Sequence, residues 1–406
     1  MQHRVDMPGM EELFGEEEPQ AEPSDTECSL PKKAFRGEAV LVTGAAGSLG
    51  RALASRLAEL PLEGLLLLDT SEHGLASLKE DLEGERLPQG GPDRGAIQYL
   101  LADLRIEADR RRALRAGPTA VIHAAAYKHV PFLETRPIAA AQNNLLATAD
   151  WLRACRAVPS IDRFTFVSTD KAVSAKNAAS TGGATARAGV MAQTKAACER
   201  MACRVRQSAT AFETTTARLC NVFGSRGSVV PRFCRRLREG RSLPVTDPEM
   251  ERRFIGPEAA ANAVLWASVQ EGATYVPRAG RRVRVGELAR RLVERARPEA
   301  APDEWIEEVG PRPGETRRER LLAASERPAI PAEGGLLRAR EASDLQVSRN
   351  GQASQNGTAS PTRQPSTGPL RDTIEKLRRT CRAGDEAAVR RLLREVATRP
   401  QAGLPE

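Results

Sequence analysis

With 406 residues, 40% of them hydrophobic and 28% charged, the chain can bury a sizeable core in one large α/β domain or two medium ones. Aromatics make up only 4%, so that core must rest on Leu, Val and Ala. The net charge of +8 suits an anionic ligand, but the arginines are scattered and no zinc-finger, basic-zipper or RNA-binding signature appears, which argues against nucleic acid.

The first segment is acidic. Residues 11–27 hold eight carboxylates, two prolines and no basic residue, and read as a solvated arm within residues 1–36. Short apolar runs at Ala39–Thr43, Leu65–Leu68, Ile97–Leu101, Ala120–Ala124 and Phe164–Ser168 then look like buried strands separated by helical patterns. Leu49, Leu53, Leu57 and Leu60 share one helical face before Pro61 stops it. This alternation predicts an α/β fold, a doubly wound parallel-sheet Rossmann domain over residues 37–210.

Thr214–Leu219 reads as a sixth strand. Gly- and Pro-containing turns and short helices follow, which suit a smaller α/β substrate-binding lobe over 211–325, interleaved with the first domain. The Ser-, Gln-, Asn- and Gly-rich stretch 326–371 reads as a disordered linker. Residues 372–406 read as a helical tail carrying Ile374, Leu377, Val389, Leu392, Leu393 and Val396. Cys28, Cys155, Cys198, Cys203, Cys220, Cys234 and Cys381 show no CxxC spacing and read as free thiols of a reducing compartment. No signal core and no membrane-length apolar run is present, so a cytoplasmic chain without a membrane span is expected.

Gly44, Gly47 and Gly50 sit where the first strand turns into the first helix, in Thr43-Gly44-Ala45-Ala46-Gly47-Ser48-Leu49-Gly50. Glycine lets backbone approach a pyrophosphate there, and the helix N-terminus offers it free N–H groups. Asp69 closes the next apolar run and can bond both ribose hydroxyls; its bland alternative is an ordinary helix N-cap. Thr70 and Ser71 follow it instead of an arginine, which favours NAD and leaves NADP open. Asp103, after the third strand, suits an adenine-side contact.

At the end of the fifth strand, Ser168-Thr169-Asp170-Lys171 offers hydroxyls, an acid and an amine where a doubly wound sheet does its chemistry. Downstream, Lys195 opens a helical run and can orient a cofactor ribose. His123 and His129 have no partner at metal-ligand spacing, so packing or hydrogen-bonding roles are expected and no metal.

Five motifs occur in order: Val42–Gly50, Leu68–Glu72, His123–Pro131, Ser168–Val173 and Asn221–Pro231. Pro248-Glu249-Met250 with Arg252, and Arg312-Pro313-Gly314-Glu315, continue the series. Together they resemble the CapD-type polysaccharide-biosynthesis proteins, UDP-N-acetylglucosamine 4,6-dehydratases of the extended short-chain dehydrogenase type. The resemblance covers residues 37–325 well and the ends faintly. It implies Lys171 as the base at sugar C5, Asp170 as the acid for the C6 hydroxyl, Thr169 near C4 and Lys195 on the nicotinamide ribose. The implied cofactor set adds Ala46, Ser48, Leu49, Leu104, Ala124, Ala125, Lys128 and Asn144. Lys128, Asn221, Arg226, Ser228, Arg252, Arg312 and Glu315 would hold a UDP-sugar, and relatives assemble into homo-oligomers.

Three features depart from the family. Met191 stands where short members carry a tyrosine, so another group must deprotonate the C4 hydroxyl. Residues 178–189 look inserted beside the active site, and the run from Arg252 to Pro257 is one residue short. Two other readings stay open: an epimerase or reductase on the same fold, which would need no C5 base, and a degenerate cofactor-binding protein that acts through partner contacts.

Overall fold

The computed structural model describes residues 7–15, 30–84, 96–181, 188–207, 212–312, 315–340 and 368–398. The apolar runs form β1 (Ala39–Thr43), β2 (Gly64–Asp69), β3 (Ile97–Leu101), β4 (Ala120–His123), β5 (Arg163–Thr169) and β6 (Glu213–Leu219). All six pair in parallel, in the order β3-β2-β1-β4-β5-β6. β1, β2 and β4 are apolar on both faces because helices cover both, whereas β3, at the edge, carries exposed positions. Val40 and Val42 join one apolar cluster and Leu41 the other, as the two-residue period of a strand requires. The carboxyl ends Thr43, Asp69, His123, Thr169 and Leu219 therefore share one edge, where strand order reverses between β1 and β4.

After β6 the chain builds a lobe with β7 (Asn221–Val222), β8 (Leu243–Val245), β9 (Glu251–Ile255), β11 (Arg281–Arg284) and β12 (Ile306–Glu308). These form a β11-β9-β7 sheet and a β12-β8 pair, filled by Phe223, Phe233, Phe254 and Leu288. Meanwhile β10 (Thr274–Pro277) returns to the main sheet beside β6, so the two regions interleave.

Two sequence readings need correction. First, the linker does not begin at 326: β13 (Arg327–Ala332) and β14 (Leu336–Arg340) form an antiparallel hairpin that extends the main sheet beyond β10. Its glycines, Gly334 (φ 68°) and Gly335 (φ 66°), take the left-handed conformation of a tight hairpin turn. A composition that suggested disorder here encodes a turn. The remainder of that stretch, 341–367, lies outside the described residues.

Second, the acidic arm is not wholly solvated. Helix Met10–Phe14 buries Leu13 and Phe14 in the lobe, with Arg281 and Arg291 over the Phe14 ring at 5.3 and 5.0 Å. The expected helical tail forms as helices Gly368–Arg382 and Glu386–Thr398, which fold back on their own domain. Leu377, Cys381, Val389, Leu392, Leu393 and Val396 are buried in the cluster that also holds Trp151, Met191 and Met201. Among the described residues no helix is long and apolar enough to cross a membrane.

Candidate active site at the strand ends

The glycine loop is shaped by close approach. A Cβ at Gly44 (φ 72°) would lie 2.8 Å from the Ala125 backbone, and one at Gly50 would lie 2.1 Å from the Gly44 carbonyl oxygen. Gly47 caps helix Ser48–Ala58, whose N-terminus opens toward the crevice. Asp69, ending β2, accepts the Ala46 N–H at 3.0 Å and the Ser71 N–H at 2.9 Å. It therefore braces the loop and the next helix entry together. Arg226 crosses from the lobe to the same loop: its guanidinium bonds the Ala46 carbonyl and its N–H donates to Ser48 Oγ at 2.9 Å. The chain thus brings a cation to a helix N-terminus, the kind of donor set a dinucleotide pyrophosphate needs. Asp103 is pulled below the ordinary carboxylate range by its hydrogen bonds from Arg105, and its neighbour Leu104 is buried.

A second layer fixes the loop after β4, which carries Ala124, Ala125 and the exposed Lys128. Asn144 accepts the Tyr127 N–H at 2.8 Å and donates to the Tyr127 carbonyl at 2.9 Å. It lies in a π-helical turn, Ala141–Leu146. His123 joins Thr43 Oγ (2.7 Å) to Thr148 Oγ (2.9 Å); burial, then the Lys195 charge, push its pKa down to about 3, so it stays neutral. His123 is thus a brace, held in a hydrogen-bonding role.

Lys195 lies on helix Val190–Gln207, whose first N–H is capped by the Glu134 carboxylate. The tail's Arg390 bonds that same Glu134 at 3.3 Å, so the C-terminal helices support this helix end. The Lys195 Nζ donates to the Val167 carbonyl at 2.8 Å, 4.6 Å from the Phe166 ring centroid. Burial lowers its pKa to about 8.

Thr169, Asp170 and Lys171 follow where β5 meets helix Lys171–Thr181. Thr169 Oγ donates to Asp170 Oδ1 at 3.0 Å, and the buried Asp170 carboxyl is pushed up to about 6 by desolvation. Lys171 Nζ contacts Asp170 Oδ1 (3.2 Å), Asn221 Oδ1 (3.1 Å) and Glu319 Oε2 (3.1 Å). A free amine at neutral pH would need a lowered lysine. Desolvation does pull that way, but the two carboxylates outweigh it and hold Lys171 above the ordinary lysine value.

Met191, Lys171, Ser174, Val130, Arg252 and Glu319 line a cavity of about 110 Å³ here. A larger groove of about 690 Å³ beside Leu30, Arg56 and Trp266 includes none of these strand-end residues.

The remaining residues form a basic patch. Ser228 caps helix Val229–Arg238, and its Oγ is buried without a partner; Arg232 Nε is likewise buried and unpartnered. Burial, then the charge of Arg312, lower Arg232, while Glu315 accepts the Arg312 N–H at 3.3 Å. Arg252 donates to the Thr316 carbonyl at 2.9 Å and faces Glu319 at 3.6 Å. Pro313 and Gly314, and residues 182–187 of the inserted stretch, lie outside the described residues. Sequence reasoning missed Glu319, Glu134 and the Arg218 network described below; no local spacing places any of them against these partners.

A family model described as "Polysaccharide biosynthesis protein" matches residues 40–335. Capsular polysaccharide biosynthesis protein CapD of Staphylococcus aureus is 30% identical over 326 residues, 78% of this chain and 49% of that protein. The chain thus spans about half the length of that relative. A UDP-glucose 4-epimerase of Rickettsia canadensis is 30% identical over 236 residues, 57% of this chain and 63% of that protein. Two solved structures share the fold. Pen from Bacillus thuringiensis has a TM-score of 0.64 at 23% identity, covering 85% of this chain and 98% of that one. DesIV, a dTDP-glucose 4,6-dehydratase from Streptomyces venezuelae with NAD and TYD bound, has a TM-score of 0.57 at 22% identity, covering 69% and 87%.

Proposed function

Starting from the chain's membership of the polysaccharide biosynthesis protein family, we propose that it is an NAD-dependent nucleotide-sugar 4,6-dehydratase that removes water from a UDP-N-acetylhexosamine such as UDP-N-acetylglucosamine. The observation that carries this reading is the Asp170–Lys171 pair on the strand-end edge that also carries the glycine loop. Elimination across C5 and C6 needs a base and an acid side by side, and an epimerase has no use for that pair. The epimerase among the similar proteins keeps 4-epimerisation as the second reading.

The glycine loop, Asp69 and Lys195 would hold the dinucleotide. When bound, that group supplies hydride acceptance at sugar C4 and return at C6. Lys171 would take the C5 proton made acidic by the 4-ketone, and Asp170, with a pKa near 6, would protonate the departing C6 hydroxyl. Ser228, Arg232 and Arg312 would hold the diphosphate through their unpaired donors and charge. Asn221 and Arg252 line the sugar end. Met191 holds no proton, so Thr169 or a water must relay the C4 hydroxyl proton.

Incubation with UDP-N-acetylglucosamine, followed by mass spectrometry, is the direct test. Loss of one water with no net NAD consumption is expected; inversion at C4 with no mass change would establish the epimerase reading instead. Asp69→Ala should weaken NAD binding by about 10–100-fold in calorimetry, the worth of charge-assisted hydrogen bonds to a ribose. Unchanged affinity would remove Asp69 from the cofactor site.

A further inference from the structure

An ammonium has three N–H bonds, and Lys171 meets three oxygens within the chain: Asp170 Oδ1, Asn221 Oδ1 and Glu319 Oε2, at 3.2, 3.1 and 3.1 Å. Asp170 and Asn221 are fixed by the strand ends. Glu319 comes from elsewhere, on a strap that spans residues 315–326 and borders the cavity with Glu315, Thr316 and Glu319.

The strap is fastened on both sides of Glu319. Before it, Arg252 donates to the Thr316 carbonyl, Glu251 N–H donates to the Arg317 carbonyl at 2.9 Å, and Arg317 pairs with Asp247 at 2.6 Å. After it, Arg218 donates to the Leu321 carbonyl at 2.6 Å, and Glu326 binds Arg218 and Lys176. Lys176 lies on the same helix as Lys171, so the strap grips that helix at two points. The Glu319 side chain, only 6% exposed, also accepts from Asn221 Nδ2 at 3.2 Å.

We propose that Glu319 is a positioning residue of the acid/base centre: carried in by the strap, it claims the Lys171 ammonium and governs when that amine can accept a proton. Every charged group facing Lys171 enters the balance. Asp170 and Glu319 favour the ammonium, Arg252 opposes it, and the buried Cys220 and the Thr169 hydroxyl border Asp170. Of the two carboxylates, Glu319 is the one whose position depends on the strap. Its charge also raises Asp170, so one residue biases both partners of the elimination. Glu319 and Lys171 line one cavity, and Glu319 is bonded to the base there.

The inference rests on reading Lys171 as the C5 base, and its first test does not. Full-length protein is pulsed with acetic anhydride at pH values from about 7 to about 12, and acylation of Lys171 is followed by mass spectrometry against ordinary lysines near 10.4. In the wild type the Lys171 midpoint should lie above that value. In Glu319→Gln, which keeps the shape and loses the charge, it should fall by about one pH unit or more. Glu319→Asp, which keeps the charge, should stay near the wild type. A wild-type midpoint at or below the ordinary value overturns the proposal without any variant, and so does an unmoved midpoint in a folded Glu319→Gln. In turnover, both limbs of the pH profile should move to lower pH in Glu319→Gln; a slower rate with unmoved limbs would mean a merely structural role. Failure of the C5 base reading itself would appear separately, as C5 exchange surviving in Lys171→Ala.

Discussion

Lys171→Ala should abolish exchange of the sugar C5 proton with solvent, lowering turnover by about 10²–10⁴-fold, while NAD affinity stays within about twofold. The split follows from geometry. Lys171 touches Asp170, Asn221 and Glu319, and none of its hydrogen bonds reaches the glycine loop or Asp69. Removing the ammonium leaves Asp170 and Glu319 facing each other without the cation between them. Their like charges and burial should then raise at least one of them further, so the variant should take up a proton at neutral pH that the wild type does not. Deuterium incorporation at C5, read by mass spectrometry in heavy water, separates this from a loss of binding. Exchange at the wild-type rate would take the base role away from Lys171, leaving Asp170 as the group to test next.

The parts of this candidate site whose placement was legible in sequence are those that sit on a short local pattern. The glycine loop could be read because Gly44 and Gly50 answer to steric demands within a single turn. Asp69 could be read because a strand end fixes its position, and Asp170-Lys171 for the same reason. What stayed hidden is long-range charge pairing. Glu319 reaches Lys171 across 148 residues, and Glu326 reaches Arg218 across 108. Each acid looks, in sequence, like any carboxylate on a solvated turn. The linker was misread for a related reason. Composition reports average solvation, whereas Gly334-Gly335 acts through its backbone, and pairing with the distant β10 gives that turn its meaning. The tail helices were readable as amphipathic, but a pattern of Leu and Val does not say which surface it will cover. Packing against the cluster that holds Met191 answers that here.

Arg218 offers the largest expected effect on stability. Its side chain is fully buried, and it donates to Glu199 at 2.9 and 2.6 Å and to Glu326 at 2.7 and 2.8 Å. Lys176 completes a neutral set of two cations and two anions, 2.8 Å from Glu199 and 3.0 Å from Glu326. Burial alone would raise both acids. The cations overrule it, holding Glu199 well below the usual carboxylate range and Glu326 at about 2. In Arg218→Leu one buried negative charge is left uncompensated, which should cost about 3–5 kcal/mol and lower the melting temperature by roughly 10 °C. Arg218→Lys should recover little of this, because an ammonium cannot reach both carboxylates with paired hydrogen bonds. The pH dependence carries the sign. With depressed carboxylates, the wild-type network stabilises fully above the unfolded carboxylate range, near 4.3, and loses that contribution as pH falls through about 2. In the variant the unpaired acid is raised, so it destabilises most at neutral pH and least once protonated. The stability gap between the two proteins should therefore be widest near pH 7 and should narrow toward pH 2. A constant gap would assign the loss to packing instead of charge. Because Glu326 also anchors the strap that bears Glu319, residual activity in the folded variant should show the same movement of the pH profile to lower pH as Glu319→Gln.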